Sequence, residues 1–348
     1  MVPTNLRQKV KILNYNMFLR SNPVPADPGT DNDWKNERLD LFIATKLANY
    51  DILLLQEVWT PMNEGRKEKL VQAAQEQGFP YYVRSACLGK LTDAMLLILS
   101  RHPIVSAEEF TYTQAVGDEV MATKGVLGAE IYLHGHKQCR VDVFTTHLQS
   151  GESNNGGNEI RRAQTIELGE FVRHRQRTEK IGSGSGSGSG LGGVNGDVNV
   201  NMNMGIIGGD FNIDGRKSRS DGTPSAGYQF LRNDLLSGMQ ITNTSLLNMM
   251  LPPWRYDNAL HQQWNESNAI PITSPNRLGS SKLIGMDPNK GKGLDYIFVG
   301  KFGIEDGNNN GVRLIRNASR INTMMVENEP FVSLSDHYAV EMEIECVQ

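Results

Sequence analysis

Residues Gly208–Asp214 read GGDFNID and follow the apolar run Gly205-Ile206-Ile207. An extended segment ends here in two glycines, an acid, an aromatic, an amide and a second acid. Two readings compete. Gly, Asp and Asn all favour turns, so the chain can simply be reversing. Side chains also alternate along extended chain, so Asp210 and Asn212 point the same way and form a small polar claw. The choice decides whether this stretch is a loop or the floor of a site, and the rest of the chain bears on it.

The same kind of ending recurs. KVKILNYN reads as a first strand, Lys9–Tyr15, ending in Asn14-Tyr15-Asn16. DILLLQEV reads as a buried strand ending in Gln56 and Glu57, and VFTTHLQ ends in His147 and Gln149. Asp295 opens the strand DYIFVG, and Asp336-His337 open the final strand, HYAVEMEIEC. If these ends meet at one edge of a sandwich, they make a deep acidic pocket with two histidines. Carboxylates brought that close repel, so the pocket needs a cation. Oxygen donors with little sulfur point to Mg²⁺, with Mn²⁺ or Ca²⁺ as alternatives.

Helices separate the strands. Leu39, Phe42, Ile43 and Leu47 recur at helical spacing, a second helix covers Arg66 to Gln77, and MLLILS from Met95 is a further buried strand. GVLGAEIYL and CRVDVFTTHL form a strand pair turning near Gly135. Ile160, Ala163, Ile166, Leu168, Phe171 and Val172 mark a helix whose end is rich in Arg and Lys, as a helix C-terminus favours. Gly182–Met204, GSGSGSGSGLGGVNGDVNVNMNM, has almost nothing to bury and is expected to be a flexible insert that divides the sequence without dividing the fold. Between Leu251 and Gly293 the pattern disappears into a long loop. Its Trp254, Tyr256 and Trp264 either cover the core edge or line a substrate groove. Mixed strands and helices with antiparallel pairs fit layered sheets with helices outside, in one domain over the whole chain.

Bulk properties narrow the function. The 348 residues are 39% hydrophobic, enough for a sizeable core, and 35 basic against 39 acidic side chains give a formal charge of -4. That is no footprint for nucleic acid, although a local patch is compatible with it. Cys87, Cys139 and Cys346 are odd in number and far apart, which suits a reducing compartment and suggests neither a disulfide framework nor a zinc site. The N-terminus lacks the apolar core of a signal peptide, and no run approaches a membrane span. The expectation is a cytoplasmic protein, able to visit a membrane surface.

In their order along the chain, YNMF, LLLQEVW, SRHPI, TTHLQ, GGDFN, LDYIFV and LSDHYAV resemble the endonuclease/exonuclease/phosphatase superfamily, the DNase I-like fold. The resemblance covers nearly everything except the Gly/Ser/Asn tract and the loop after Leu251. It implies a four-layer α/β/β/α sandwich of two mainly antiparallel sheets, and metal-assisted hydrolysis of phosphate esters. YNMFLR, DWKNERLDLFI and ATKGVLGAEIYL are similar to the neutral sphingomyelinase branch. One departure is Asp93-Ala94-Met95, where that branch often has Asp-Gly-Gly. Another is RNASRINTMMVENEPFVSL, which offers Met324, Met325 and Phe331 where secreted bacterial members carry an exposed aromatic hairpin.

For the site, the resemblance implies Glu57 as principal Mg²⁺ ligand, with Asn16 adjoining it and Asp336 completing the shell. It implies His337 as general base, oriented by Asp295, with Asp210 positioning the water and Asn212 on the phosphate. His147 faces the other side as phosphate ligand or leaving-group acid. The substrate it implies is a phospholipid, sphingomyelin, split into ceramide and phosphocholine. The alternatives are a nuclease, an inositol-phosphate phosphatase, or an inactive scaffold that keeps the fold.

Overall fold

The structure is a computed structural model that describes residues 7–19, 34–59, 65–87, 92–137, 139–151, 156–182, 204–216, 225–236, 255–258, 274–277, 286–301, 311–315 and 318–347. Strand β1 (Arg7–Leu19) shows why the chain layers as it does. Val10 and Ile12 enter one apolar cluster and Leu13 and Tyr15 another, all fully buried. A strand buried on both faces must lie between two apolar layers. In β2 (Ile52–Val58), Ile52 and Leu54 likewise join the first cluster, and Leu53 and Leu55 the second.

Around these two strands lie β3 (Tyr81–Arg84), β4 (Leu97–Ser100), β13 (Gly311–Leu314), β14 (Arg320–Asn322) and β15 (Ala339–Val347). Together they form a seven-stranded sheet in the order β13-β15-β1-β2-β4-β3, with β14 added to β15. The second sheet contains β5 (Ile104–Thr111), β6 (Gly125–Tyr132), β7 (Arg140–His147), β8 (Met204–Asp210), β9 (Arg255–Asn258) and β12 (Asp295–Lys301), in the order β5-β6-β7-β8-β12-β9. The pairs β1–β2 and β7–β8 are parallel, while the neighbours β15, β4, β6 and β12 pair antiparallel.

Helices α1 (Lys35–Thr45) and α2 (Arg66–Glu76) cover the outer face of the first sheet with Leu39, Phe42, Leu70 and Ala74. Helices α3 (Gly157–Gly182) and α4 (Ala226–Leu236) cover the second with Leu168, Phe171, Tyr228 and Leu231. The layers therefore run α/β/β/α, as the resemblance implied.

Three expectations change. The stretch 251–293 is not one loop: β9, β10 (Ser274–Arg277) and β11 (Met286–Lys292) lie in it, and β10 and β11 pair antiparallel. Their polar side chains hide backbone pairing from a reading based on apolar periodicity. Trp254, Trp264 and the side chain of Tyr256 lie outside the described residues, as do residues 183–203 of the expected insert. Edge strands β3 and β5 went unseen for a related reason, since an exposed edge shows no clean alternation. Finally, Cys139 and Cys346 are joined by a disulfide, with Cα atoms 5.7 Å apart and 207 positions between them in sequence. Counting and spacing cysteines missed it, because folding brings the start of β7 against the end of β15.

The sheets are clasped below their polar edge. Asn14 Nδ2 donates to Gly209 O at 3.2 Å and Tyr296 O at 3.4 Å, and Gln56 Nε2 donates to Asn14 Oδ1 at 2.9 Å and Thr145 Oγ1 at 2.8 Å. Gly208 permits this approach, and Gly209 permits the close pairing of β8 with β7. A Cβ at Gly208 would stand 2.7 Å from Leu54 Cδ1, and one at Gly209 would stand 2.5 Å from Thr146 O.

Two stability experiments follow. Because its added methyl meets backbone, Gly209→Ala should cost about 1–3 kcal/mol and lower the melting temperature by several degrees in scanning calorimetry. A shift under about one degree would mean that β7 and β8 adjust to the methyl without loss. Opening the Cys139–Cys346 bond releases a long loop, for which chain entropy gives up to about 5 kcal/mol. Cys346→Ala should lower the urea midpoint clearly, and an unchanged midpoint would show that the staple adds nothing.

Candidate active site

Six segments deliver polar side chains to one edge of the sandwich, and Asp210 lies at their centre. Its Oδ2 accepts from Asn16 Nδ2 at 3.0 Å and lies 3.6 Å from His147 Nε2 and 3.7 Å from His337 Nε2. The amide of Asn16 also donates to Glu57 Oε1 at 3.1 Å. On the other side, His337 Nδ1 and Asp295 Oδ2 are 2.8 Å apart, and Asp336 Oδ1 lies 4.0 Å from His337 Nε2. Asn212 Nδ2 donates to Leu148 O at 3.1 Å, next to His147. All eight residues named from the sequence thus meet at one edge.

GGDFNID turns out to be both a turn and a claw. Asp210 Oδ1 accepts from the backbone N of Asn212 at 3.0 Å, closing an Asx turn, while Oδ2 faces the pocket. Asn212 has φ 51, a left-handed conformation that asparagine tolerates better than most residues. The claw is not the expected pair, however, because the Asn212 amide is tied to Leu148 rather than set beside the Asp210 carboxylate.

Glu57 reaches the pocket through a break in alternation. In β2, Ile52, Leu54 and Gln56 share the inner face, so regular extension would send Glu57 outward. Its φ of 55 is left-handed, and this re-aims the carboxylate to Asn16. Such a conformation is costly for a non-glycine residue and collects at functional sites.

Two supporting residues escaped the sequence reading. Arg38 on α1 is buried and donates to Met17 O at 3.1 Å, Phe18 O at 2.8 Å and Leu334 O at 2.8 Å. It fastens the end of β1 to the segment carrying His337. The signal was present, as a cation adjoins the apolar stripe of Leu39 and Phe42. Ser335 Oγ donates to Asn16 O at 2.7 Å and accepts from His337 N at 3.2 Å. Nearby, Met324 and Phe331 are core residues, and Met325 alone of the three noted there is exposed, at 46%.

Burial in low dielectric separates the charges of the titrating groups. Burial raises Asp210, Asp295 raises it further, and it ends at about 6 despite the opposing pull of His337. Burial works against a charged His337, but Asp295 and Asp210 outweigh it and hold the imidazole well above its ordinary 6.5. His147 goes the opposite way: burial, then Lys124 and His337, push it well below 6.5. It stays neutral, and its Nδ1 has no hydrogen-bond partner among the described residues.

The donor chemistry fits a hard divalent cation. Glu57 and Asp210 offer carboxylate oxygens about the Asn16 amide, and burial, with Asp295 beside it, disfavours a bare charge on Asp210 that a cation would offset. Ligand atoms of Asp210, Asp295 and His337 also lie within 4.8 Å of one another. Since His337 Nδ1 is committed to Asp295, that group reads better as an acid–base pair.

Comparison with known proteins agrees with this geometry. A model described as the Endonuclease/Exonuclease/phosphatase family matches residues 14–337. A sphingomyelinase of Dictyostelium discoideum is 25% identical over 363 residues, covering 84% of this chain and 71% of that protein. A Staphylococcus aureus beta toxin with bound magnesium ions superposes with TM-score 0.55 at 16% identity, over 98% of this chain and 100% of its own. A humanized D. rerio TDP2 gives TM-score 0.57 at 12% identity, over 97% and 98%. These two structures share the fold and do not separate substrates. No helix among the described residues is long and apolar enough to cross a membrane.

Metal binding should titrate His337. In metal-free protein its ring should hold a proton through neutral pH, which stabilises the fold fully below about 6.5 and is lost as pH rises through the higher folded value. Saturating Mg²⁺ should lower that value and release protons, as ligand sites do when a cation competes for their charge. Histidine NMR and calorimetry in buffers of different ionisation enthalpy would check both. A His337 resonance blind to Mg²⁺ would separate the base from the cation site.

Proposed function

The chain belongs to the endonuclease/exonuclease/phosphatase family, and from that premise we propose that it is a Mg²⁺-dependent phosphodiesterase that hydrolyses sphingomyelin to ceramide and phosphocholine. The observation that carries the chemistry is the buried His337–Asp295 pair, 2.8 Å apart, facing Asp210 and the Asn16–Glu57 group. The sphingomyelinase relative from Dictyostelium and the branch-like stretches YNMFLR, DWKNERLDLFI and ATKGVLGAEIYL support the substrate.

Glu57 would hold the cation, with Asp210 and Asp336 as further carboxylates. Asn16, whose Nδ2 meets Glu57 and Asp210 while its Oδ1 accepts from Phe18 N, would join them by turning its amide oxygen to the ion. When bound, Mg²⁺ supplies positive charge beside a phosphate oxygen and weakens the hold of the carboxylates on the His337 proton. His337 Nε2 then takes a proton from the attacking water, whose oxygen forms the new bond to phosphorus as the bond from phosphorus to the ceramide oxygen breaks. The departing oxygen takes a proton from solvent water, to which His337 later returns its own. Asp295 on Nδ1 fixes the tautomer and stabilises the imidazolium. Asp210, 3.7 Å from the same Nε2, orients the water. His147 is kept neutral, so it serves as an N–H donor to a phosphate oxygen rather than as the acid for the leaving ceramide oxygen. Asn212 lines the phosphate side. Beside it opens a groove of about 770 Å³, in which Ile213, Phe230 and Leu294 stand among charged residues such as Arg161, Arg162 and Lys292. The enzyme works on lipid at a membrane surface.

Two substitutions test the assignment on sphingomyelin in mixed micelles. His337→Ala should lose activity by on the order of a hundred- to ten-thousandfold while still binding Mg²⁺, and added Mg²⁺ should not restore it. Glu57→Gln should bind Mg²⁺ more weakly and recover partly in excess metal. Rescue of His337→Ala by Mg²⁺ would reverse the two roles. A parent inactive on sphingomyelin but active on lysophospholipids, inositol phosphates or DNA would replace the substrate, and silence on all of them would favour a scaffold.

A further inference from the structure

The strained turn at Glu57 is held from outside its own strand. The next residue, Val58, donates from its backbone N to Met95 O at 3.1 Å. Met95 is itself left-handed, with φ 59, at a place where glycine would be the comfortable residue. Conformations of this kind persist only where their surroundings over-determine them.

Asp93 does this for Met95. Its Oδ1 accepts from Met95 N at 3.1 Å, while its Oδ2 takes Lys67 Nζ at 2.5 Å and Ser85 Oγ at 3.1 Å. Ser85 closes the unit, accepting from Leu96 N at 3.0 Å and donating its own N to Leu96 O at 3.1 Å. Lys67 comes from α2, and the side chains of Lys67 and Asp93 are 0% and 3% exposed. A buried ion pair is a poor source of stability, since apolar residues of similar volume often serve as well. Here each oxygen of one carboxylate has a separate task, one gripping Lys67 and the other the backbone that abuts Glu57.

We propose that Lys67 is a positioning residue for the cation site: through Asp93 and Met95 it fixes the turn that aims Glu57 at Asn16. This rests on the reading of Glu57 as a cation ligand given above. Lys67 touches neither cation nor substrate. Its loss lets the Asp93–Leu96 backbone relax, and the Glu57 carboxylate moves off its line.

The test is Lys67→Met, with Mg²⁺ affinity measured by titration calorimetry on folded protein and kcat and KM measured across a Mg²⁺ series. Outer supports of metal ligands typically contribute about ten- to a hundredfold in affinity. Mg²⁺ binding should weaken by about that much, and the Mg²⁺ requirement for turnover should rise in step. At saturating Mg²⁺, kcat should return close to the parent value with KM for substrate unmoved. A purely structural role would lower the melting temperature and leave Mg²⁺ affinity alone, and that result overturns the proposal. Ser85→Ala, which removes one contact to Asp93 and keeps the ion pair, should shift affinity in the same direction by less, and it decides the matter if Lys67→Met does not fold. Glu57→Gln runs beside them. If it is weakened while neither support variant is, the positioning role alone fails. If it binds Mg²⁺ like the parent, the reading of Glu57 fails and the positioning role falls with it.

Discussion

The amide of Asn14 crosses from one sheet to the other and ends on the carbonyls of Gly209 and Tyr296. The pocket depends on this contact because its residues are split between the sheets. Asn16, Glu57 and His337 come with the first sheet, and His147, Asp210 and Asp295 with the second. Asn14 and Asn16 share a face of β1, so the clasp at one sets the depth of the other. A buried amide left unpaired there would cost about 1–3 kcal/mol, which makes a half-docked sandwich unfavourable. The absence of a side chain at Gly208 is part of the same constraint, since a Cβ there would press on Leu54 and Asn14 of the facing sheet.

The clasp also makes the electrostatics of the pocket. Asp210 and Asp295 are almost fully buried, where mutual repulsion is weakly screened. The two imidazoles respond in opposite senses. His337, paired with Asp295, gains proton affinity, and His147, near Lys124, loses it. One environment thus keeps a histidine charged and another neutral within reach of a single carboxylate, a separation that lets like side chains take unlike roles.

Much of this was legible in the sequence, for stated physical reasons. Runs such as Leu53-Leu54-Leu55 announced strands buried on both faces, and the acids and amides closing them announced the pocket. What stayed hidden was whatever does not follow alternation. Glu57 and Asn212 reach their places through left-handed backbone, which no apolar period records. The polar ends also proved to be of two kinds. Asn14 and Gln56 turn inward to clasp the sheets, while Asn16 and Glu57 line the pocket. In sequence Arg38 resembles other helical cations, and only its three carbonyl partners set it apart. The Cys139–Cys346 bond is the plainest case, because only tertiary structure brings those positions together.

The pairing of β15 with β1 has a consequence for the chain's birth on the ribosome. Of the described strands, β1 comes earliest and sits inside its sheet, and one of its two partners, β15, comes latest. While the residues between them are being made β1 lacks one ladder, and the apolar side chains destined for β15 have not yet appeared. Domains generally fold as units while they emerge, and exposed strand edges invite wrong partners. This chain must therefore shield an open central strand until about residue 347 leaves the tunnel. His337 arrives only shortly earlier, so no nascent fragment that stops short of β15 brings all the polar strand ends together.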